Sequence, residues 1–321
     1  MEIRYKRSHF AKLLGFTDKQ LSAADKLPEL TALGGGPASY QPRHLSAYRR
    51  VLDLHPDREP LRRQLFLNFK GGTGKTSLSV AYGYRLAEMG HRVLLIDLDS
   101  QGHATQHLGL GPEKLERTVF DTLVNALPIT DVILPTPLAE FDVLPANLRM
   151  TTIDISLMPM AGREYKLQRA LASVLDRYEF IVMDAPPSFG LLNLNALMAC
   201  DDLIVPVLPD FLSFHGLKLL FETLGQLEDD LNHRLQRIKI LINQYNPTTR
   251  IAREAKRALE SHYAEFLSET IVRQCTDFAR ASSDGLPINA YAPSSKGARD
   301  IDALITEMMS ARYESAMERS A

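Results

Sequence analysis

A chain of 321 residues that is 45% hydrophobic and 24% charged can bury a sizeable core, which excludes a disordered protein and fits one large α/β domain plus a small appendage. No apolar run approaches the ~20 residues that span a bilayer, and Met1-Glu-Ile-Arg-Tyr-Lys-Arg7 runs into polar sequence, so a cytoplasmic protein without membrane attachment is expected. The net charge of −2 hides an asymmetry: residues 1–63 hold 12 Lys/Arg against 7 Asp/Glu, a net of +5, and the remainder holds 25 against 32, a net of −7. A basic head before an acidic body suggests a polyanion partner, although such an excess is also common on solvated surfaces.

The head, residues 1–60, has two helical patterns, Ser8 to Leu14 and Lys19 to Lys26, separated by Gly15-Phe16-Thr17-Asp18. A glycine turn followed by a Thr or Asp cap is how a helix-turn-helix joins its helices. Leu33-Gly-Gly-Gly-Pro-Ala-Ser-Tyr-Gln-Pro42 then reads as a wing or loop, Arg43 to Leu54 as a third helix, and His55-Pro-Asp-Arg-Glu-Pro60 as a linker. A helical dimerisation or docking module fits the same pattern.

Residues 61–321 repeat an apolar strand, a loop and an amphipathic helix, the rhythm of a mostly parallel sheet flanked by helices. The expected strands are Gln64–Asn68, Arg92–Ile96, Phe141–Leu144, Phe180–Met183, Asp202–Val207 and Lys239–Ile242. Ligands of open α/β sheets bind outside the carboxyl ends of the strands, so the loops there should form one site. Cys200 and Cys275 lack metal-ligand spacing and receive no chemical role.

Between the first strand and a helix from Ser77 to Met89 lies Lys70-Gly71-Gly72-Thr73-Gly74-Lys75-Thr76, with Phe69 where the usual phosphate loop has its first glycine. Glycines let backbone N–H groups turn onto phosphate oxygens, and the helix presents its positive end, from Ser77 onward, to the same anion. Lys75 is expected to reach the β and γ phosphates of ATP, and the Thr76 hydroxyl to ligate Mg²⁺. Asp97 and Asp99 leave the strand Val93-Leu-Leu-Ile-Asp97, and Asp184 ends the apolar run Phe180-Ile-Val-Met-Asp184 before Ala-Pro186-Pro187. A carboxylate leaving a strand beside Mg-ATP can hold metal waters or orient the attacking water, and Asp184 after such a strand reads as a Walker B aspartate holding a water of the Mg²⁺ shell. For Asp97 a simple helix cap remains open.

With its second lysine, Lys70, the loop resembles the deviant Walker A motif of the P-loop NTPase family that includes ParA partition ATPases, MinD and nitrogenase iron protein. The resemblance runs through most of residues 64–310, with further ParA-like segments at Val143-Leu-Pro-Ala-Asn147-Leu148, Val205-Pro-Val-Leu-Pro209-Asp210-Phe-Leu-Ser-Phe-His-Gly216-Leu217 and Ile288-Asn-Ala-Tyr-Ala-Pro-Ser-Ser-Lys-Gly297-Ala298. It implies an ATP-dependent homodimer in which Lys70 reaches the phosphates of the opposite subunit. It also assigns Asp99 to hydrolysis, Asp97 to the metal shell, and Asn243 and Pro209 to the border of the adenine. The head resembles the winged helix-turn-helix of the MerR type, which also heads some plasmid-partition ATPases. The nitrogenase branch is disfavoured because the cysteines do not match its cluster pattern. The membrane-binding MinD branch is disfavoured because Ile301, Leu304, Ile305, Met308 and Met309 read as core packing and the tail beyond mixes Glu314 and Glu318 with Arg312 and Arg319.

ParA-like dimers bind DNA without sequence preference. Arg250, Arg253, Lys256 and Arg257 recur at three- and four-residue intervals on an expected helix from Thr248 to Ser261, a stripe suited to phosphates or simply a solvated face. Arg273, in Glu269-Thr-Ile-Val-Arg-Gln, stands where the family often has a DNA-contacting residue, although Cys275-Thr-Asp departs from the commoner Asn-Val-Arg. The expected function is therefore a nucleoid-associated ATPase that partitions plasmid or chromosome DNA with a ParB-like or cargo-bound activator. The alternatives are a ParA-like ATPase positioning a protein cargo, with the head as adaptor, or a nucleotide-controlled transcriptional regulator.

Overall fold

The computed structural model describes residues 3–33, 40–211, 213–231 and 233–310. Residues Gly34 to Ser39 of the expected wing, and the tail residues Arg312, Glu314, Glu318 and Arg319, lie outside them. Seven strands form one sheet: β1 (Arg62–Phe66), β2 (Val93–Asp97), β3 (Leu134–Pro135), β4 (Phe141–Leu144), β5 (Phe180–Asp184), β6 (Asp202–Val207) and β7 (Arg237–Ile242). Their order is β3-β4-β2-β5-β1-β6-β7, parallel throughout except for the antiparallel edge pair β3–β4.

The central strands are buried on both faces, which is why they read as unbroken apolar runs rather than alternating ones. β1 starts two residues before the expected Gln64 and gives way to the loop at Leu67, whose N–H still reaches Ile204. The two-residue β3 is too short to leave a periodic signal. Leu65, Leu94, Ile96, Ile181 and Met183 belong to one apolar core, and Phe66, Leu95, Val143 and Val182 to the core on the other side. On that second side the helix Lys75–Glu88 packs with the last helix, Lys296–Ser310, through Ile301, Leu304, Ile305 and Met308, so the C-terminal stripe is core. Among the described residues no helix is long and apolar enough to cross a membrane.

The head forms helices Arg7–Leu13, Asp18–Ala24, Pro28–Thr31 and Pro42–Leu52. The turn between the first two passes through Gly15 at φ +70°, and Thr17 then accepts from the Gln20 N–H while the Gln20 side chain returns to the Thr17 N–H. Inside, Phe10 stacks on Tyr40 at 4.0 Å and meets Tyr48 edge-on at 5.2 Å. The Tyr40 and Tyr48 hydroxyls and the Arg7 guanidinium all donate to Asp25, at 2.9, 2.6 and 2.8 Å.

This head shares its core with the body and sits on the C-terminal end of the helix Lys75–Glu88. The Tyr5 and Tyr84 hydroxyls meet at 2.6 Å. Arg49, only 2% exposed, donates to the Ala87 carbonyl at 3.3 Å and to the Glu88 carbonyl. A buried cation at the negative end of a helix satisfies carbonyls that have no partner within the helix. Gly90 allows the approach: it has φ +104°, and a Cβ there would lie 2.7 Å from Pro56 Cδ. The Ala87 carbonyl also accepts from the Gly90 N–H at 2.9 Å, so we expect Arg49→Met to strip the donor from the Glu88 carbonyl and lower stability by about 1–3 kcal/mol. Urea unfolding would show it, with proteolytic cleavage of the head preceding that of the body; an unchanged midpoint would refute the role.

Candidate active site

β1 runs into a loop that ends at Gly74, where the helix Lys75–Glu88 begins. Gly72 and Gly74 have φ of +74° and +89°, a region other residues enter only with strain. At Gly74 a side chain is excluded twice over, because a Cβ would lie 2.3 Å from Asn243 Nδ2. That same amide donates to the Thr73 carbonyl at 2.7 Å, while the Asn243 N–H is held by Val207 of β6 at 2.8 Å. Asn243, just past β7, thus pins the loop from outside. Gly71 and Gly72 are exposed, Thr73 is buried, and Thr76 and Ser77 lie half-buried in the first helical turn. Lys75 is 6% exposed and its ammonium donates to the Lys70 carbonyl at 3.2 Å. Burial lowers the Lys75 pKa, while Asp184 and Asp99 oppose the shift.

Asp97 and Asp184 end neighbouring strands in register and are both fully buried. Their surroundings differ. Asp97 accepts from the Thr105 N–H at 2.8 Å, the Thr105 hydroxyl at 2.7 Å and the Asp99 N–H at 3.0 Å. It braces the turn after β2 and ties the first turn of the short helix His103–Gln106 to the strand. Burial pushes its pKa up to about 6, against those hydrogen bonds. Neither oxygen of Asp184 has a hydrogen-bond partner. Burial first, and Asp97 second, push Asp184 up to about 8; the Thr76 hydroxyl is near enough to oppose this, but it lies outside hydrogen-bond geometry, so the carboxylate counts as unpaired.

An orphaned buried carboxylate beside a hydroxyl at a helix N-terminus fits a divalent cation that keeps its waters and shares phosphate ligands, the habit of Mg²⁺. Among the described residues no group of three or more His, Cys, Asp or Glu could hold a metal alone. The donor set therefore suits a cation that arrives with a polyphosphate. Asp99 is half-exposed at the mouth, its carboxylate accepting from the Gln101 N–H at 3.0 Å.

Lys70 does not point at its own loop. Its ammonium meets Asp210 at 2.7 Å, in the loop after β6 that also holds Pro209. Sequence reasoning singled out Lys70 and Pro209 but not Asp210, and no spacing could pair side chains 140 residues apart. Phe69 meets Phe189, in the loop after β5, edge-on at 5.3 Å, so the position usually given to glycine is used for packing.

The basic residues separate. On the helix Arg250–His262, Ala252, Ala255 and Leu259 face inward, leaving Arg250, Arg253 and Arg257 exposed on the opposite side. Lys256 lies on the flank, half-buried and paired with Glu260 at 3.0 Å, rather than in that stripe. Arg273 is elsewhere, committed to Asp300 of the last helix at 2.6 Å. Of the two cysteines, both free, Cys200 is buried and Cys275 partly so.

The Asn243 contact gives a test of the loop itself. Asn243→Leu should leave the Thr73 carbonyl unbonded and speed hydrogen exchange at residues 70–74 about tenfold, with the sheet amides unchanged. Unaltered protection there would mean that the loop holds its shape without Asn243.

Residues 64–237 match the AAA domain family. The chain is similar to cell division protein PomZ of Myxococcus xanthus, 54% identical over 305 residues that cover 95% of this chain and 92% of that protein. It is also similar to the sporulation initiation inhibitor protein Soj of Bacillus subtilis, 36% identical with coverage of 72% and 91%. A crystal structure of cobyrinic acid a,c-diamide synthase from Mycobacterium smegmatis with bound ATP analogue and magnesium has a TM-score of 0.66 at 30% identity, covering 79% of this chain and 98% of that one. The Mg-ADP complex of the septum site-determining protein MinD from Pyrococcus horikoshii shares the fold, with a TM-score of 0.62 at 21% identity and coverage of 77% and 96%. With a phosphate loop that carries a second lysine, a mostly parallel sheet and these relatives, the chain belongs to the ParA/MinD-type family of P-loop ATPases.

Proposed function

We propose that the chain is a Mg²⁺-dependent ATPase whose ATP-bound form is a homodimer that binds DNA without sequence preference and positions a cargo in cell division. The observation that carries this reading is the meeting of Lys75, Thr76 and the unpaired Asp184 beneath the glycine loop. The loop N–H groups of residues 71–76 and Lys75 hold the phosphates. Thr76 and Asp184 would hold Mg²⁺, which would supply positive charge against the phosphates. Asp99 orients the attacking water, and Asp97 keeps the Asp99 backbone in place through the 3.0 Å bond to its N–H. Pro209 and Asn243 border the adenine. Lys70 serves the phosphates of the second subunit.

Two features favour a protein cargo over plasmid partition. The similarity to the cell division protein covers 95% of the chain and so takes in most of the head, whereas the Soj similarity covers 72%. The head is also docked on the phosphate-loop helix, which suits an adaptor that feels the nucleotide site. A ParB-like or cargo-bound protein would trigger hydrolysis.

Lys75→Ala should abolish ATP binding, while Asp99→Ala should leave binding and dimerisation intact and stop phosphate release. Nucleotide titration with a phosphate-release assay separates the two roles, and normal turnover in the Asp99 variant would remove its assignment. On duplex DNA of arbitrary sequence, replacing Arg250, Arg253 and Arg257 with Ala should reduce the log–log salt slope by about 0.9 for each lost phosphate contact. Isotherms at several salt concentrations would read this directly; an unchanged slope would move the DNA surface off this helix.

A further inference from the structure

The Lys70 side chain is already engaged within its own subunit. Its ammonium lies 2.7 Å from Asp210 Oδ2, with the two side chains 28% and 33% exposed. The other oxygen of Asp210 accepts from both the N–H and the hydroxyl of Ser213, at 2.9 Å each, where the helix Ser213–Leu231 begins. Asp210 is thus fixed by the helix it starts, and Lys70 is held by Asp210. The Lys70 backbone is independently set by its N–H bond to Asn68 Oδ1 at 2.9 Å and by Lys75 donating to its carbonyl at 3.2 Å. Only the side chain remains to be directed.

We infer that Asp210 is a positioning residue that parks Lys70 in the separate subunit and must release it before Lys70 can serve the phosphates of a second copy of the chain. One ammonium cannot occupy both places. The inference rests on the reading of Lys70 as a contact between subunits. The pair is partly exposed, so it is weak enough to be exchanged for a polyphosphate yet strong enough to bias the equilibrium. Burial would raise the Asp210 pKa, but Lys70 and Ser213 outweigh it and keep the carboxyl below its usual range, so Asp210 faces Lys70 as a carboxylate at neutral pH. Each association releases two such contacts, one per subunit. The helix Ser213–Leu231 thereby gains a link to dimer formation: anything that moves its first turn changes how firmly Lys70 is held.

Asp210→Asn keeps an acceptor for Ser213 and removes the charge facing Lys70; Asp210→Ser, also a good residue at a helix start, is a second route to the same end. Dimerisation of the full chain would be measured by sedimentation with Mg²⁺ and a slowly hydrolysed ATP analogue, for both variants, Lys70→Ala and Lys70→Ala/Asp210→Asn. We expect either Asp210 variant to tighten the dimer between about 2-fold and 30-fold, the range for relieving two partly exposed ion pairs. Asp210→Glu should return it toward the parent value. The gain should vanish in the Lys70→Ala background, because no ammonium remains to be released. No gain in either Asp210 variant, or a gain that persists without Lys70, overturns the inference while the subunit-bridging role of Lys70 stands. A Lys70→Ala protein that dimerises like the parent overturns that role, and the inference with it.

Discussion

Two neighbouring carboxylates that cannot both be comfortable as buried charges organise this molecule. Asp97 and Asp184 end adjacent parallel strands in register, and both are buried. Strands in such a sheet lie about 4.8 Å apart, so the two charges repel across a region with little water. The chain relieves one of them with three hydrogen-bond donors, drawn from Thr105 and the Asp99 backbone. It leaves the other with none and its pKa raised to about 8. The unrelieved carboxylate is the one beside Thr76 and Lys75. A cation arriving with phosphates completes the site, and the relieved carboxylate stiffens the turn that carries Asp99.

The glycine loop is held from its outer side. Asn243 brings the end of β7 against Thr73, and Asp210 brings the loop after β6 against Lys70. These strands lie side by side at one edge of the sheet, so the phosphate loop is gripped by the same segments that lead into the helices Ser213–Leu231 and Arg250–His262. At its far end the phosphate-loop helix carries the head through Tyr84, Ala87 and Glu88. One rigid helix therefore touches the nucleotide cradle at one terminus and the head at the other. An adaptor seated there has a direct mechanical connection to the cradle.

Much of this was legible in sequence because it is local. The strand–loop–helix run, the buried strands and the aspartates at their ends are contiguous, and their residue types follow from backbone geometry and charge. The pairings between distant loops were not. Asp210 carries no mark that sets it apart from other acidic loop residues, and Asn243, expected beside a base, also bonds a carbonyl of the phosphate loop. Lys256 shows a different limit: three- and four-residue spacing admits it to the stripe, but the direction of the buried Ala252, Ala255 and Leu259 puts it on the flank. The excess positive charge of residues 1–63 shows a related limit, since composition does not say which charges are buried: Arg49 and Arg62 are, and most of the others are exposed.

That last point bears on where a polyanion would sit. Within residues 1–63, Arg49 is buried on a helix end, Arg62 of β1 is buried and donates to the Met308 carbonyl, Arg63 of β1 pairs with Asp201 at 2.5 Å, and Arg7 is taken by Asp25. These four are consumed in holding the fold together, whereas Arg4, Lys6, Lys12, Lys19, Lys26, Arg43, Arg50 and Arg58 of the same stretch are exposed. On the helix Arg250–His262, by contrast, the arginines lie on the face opposite the core. Arg250 is engaged by Glu254, one turn away, in a solvent-screened pair. Arg253 donates to the Pro247 and Thr248 carbonyls, which holds the guanidinium near the helix start without neutralising it. A phosphate backbone competes easily with such partners and hardly at all with the buried ones of the head. The exposed arginines of this helix are thus open to a phosphate backbone, and so are the exposed cations of the head.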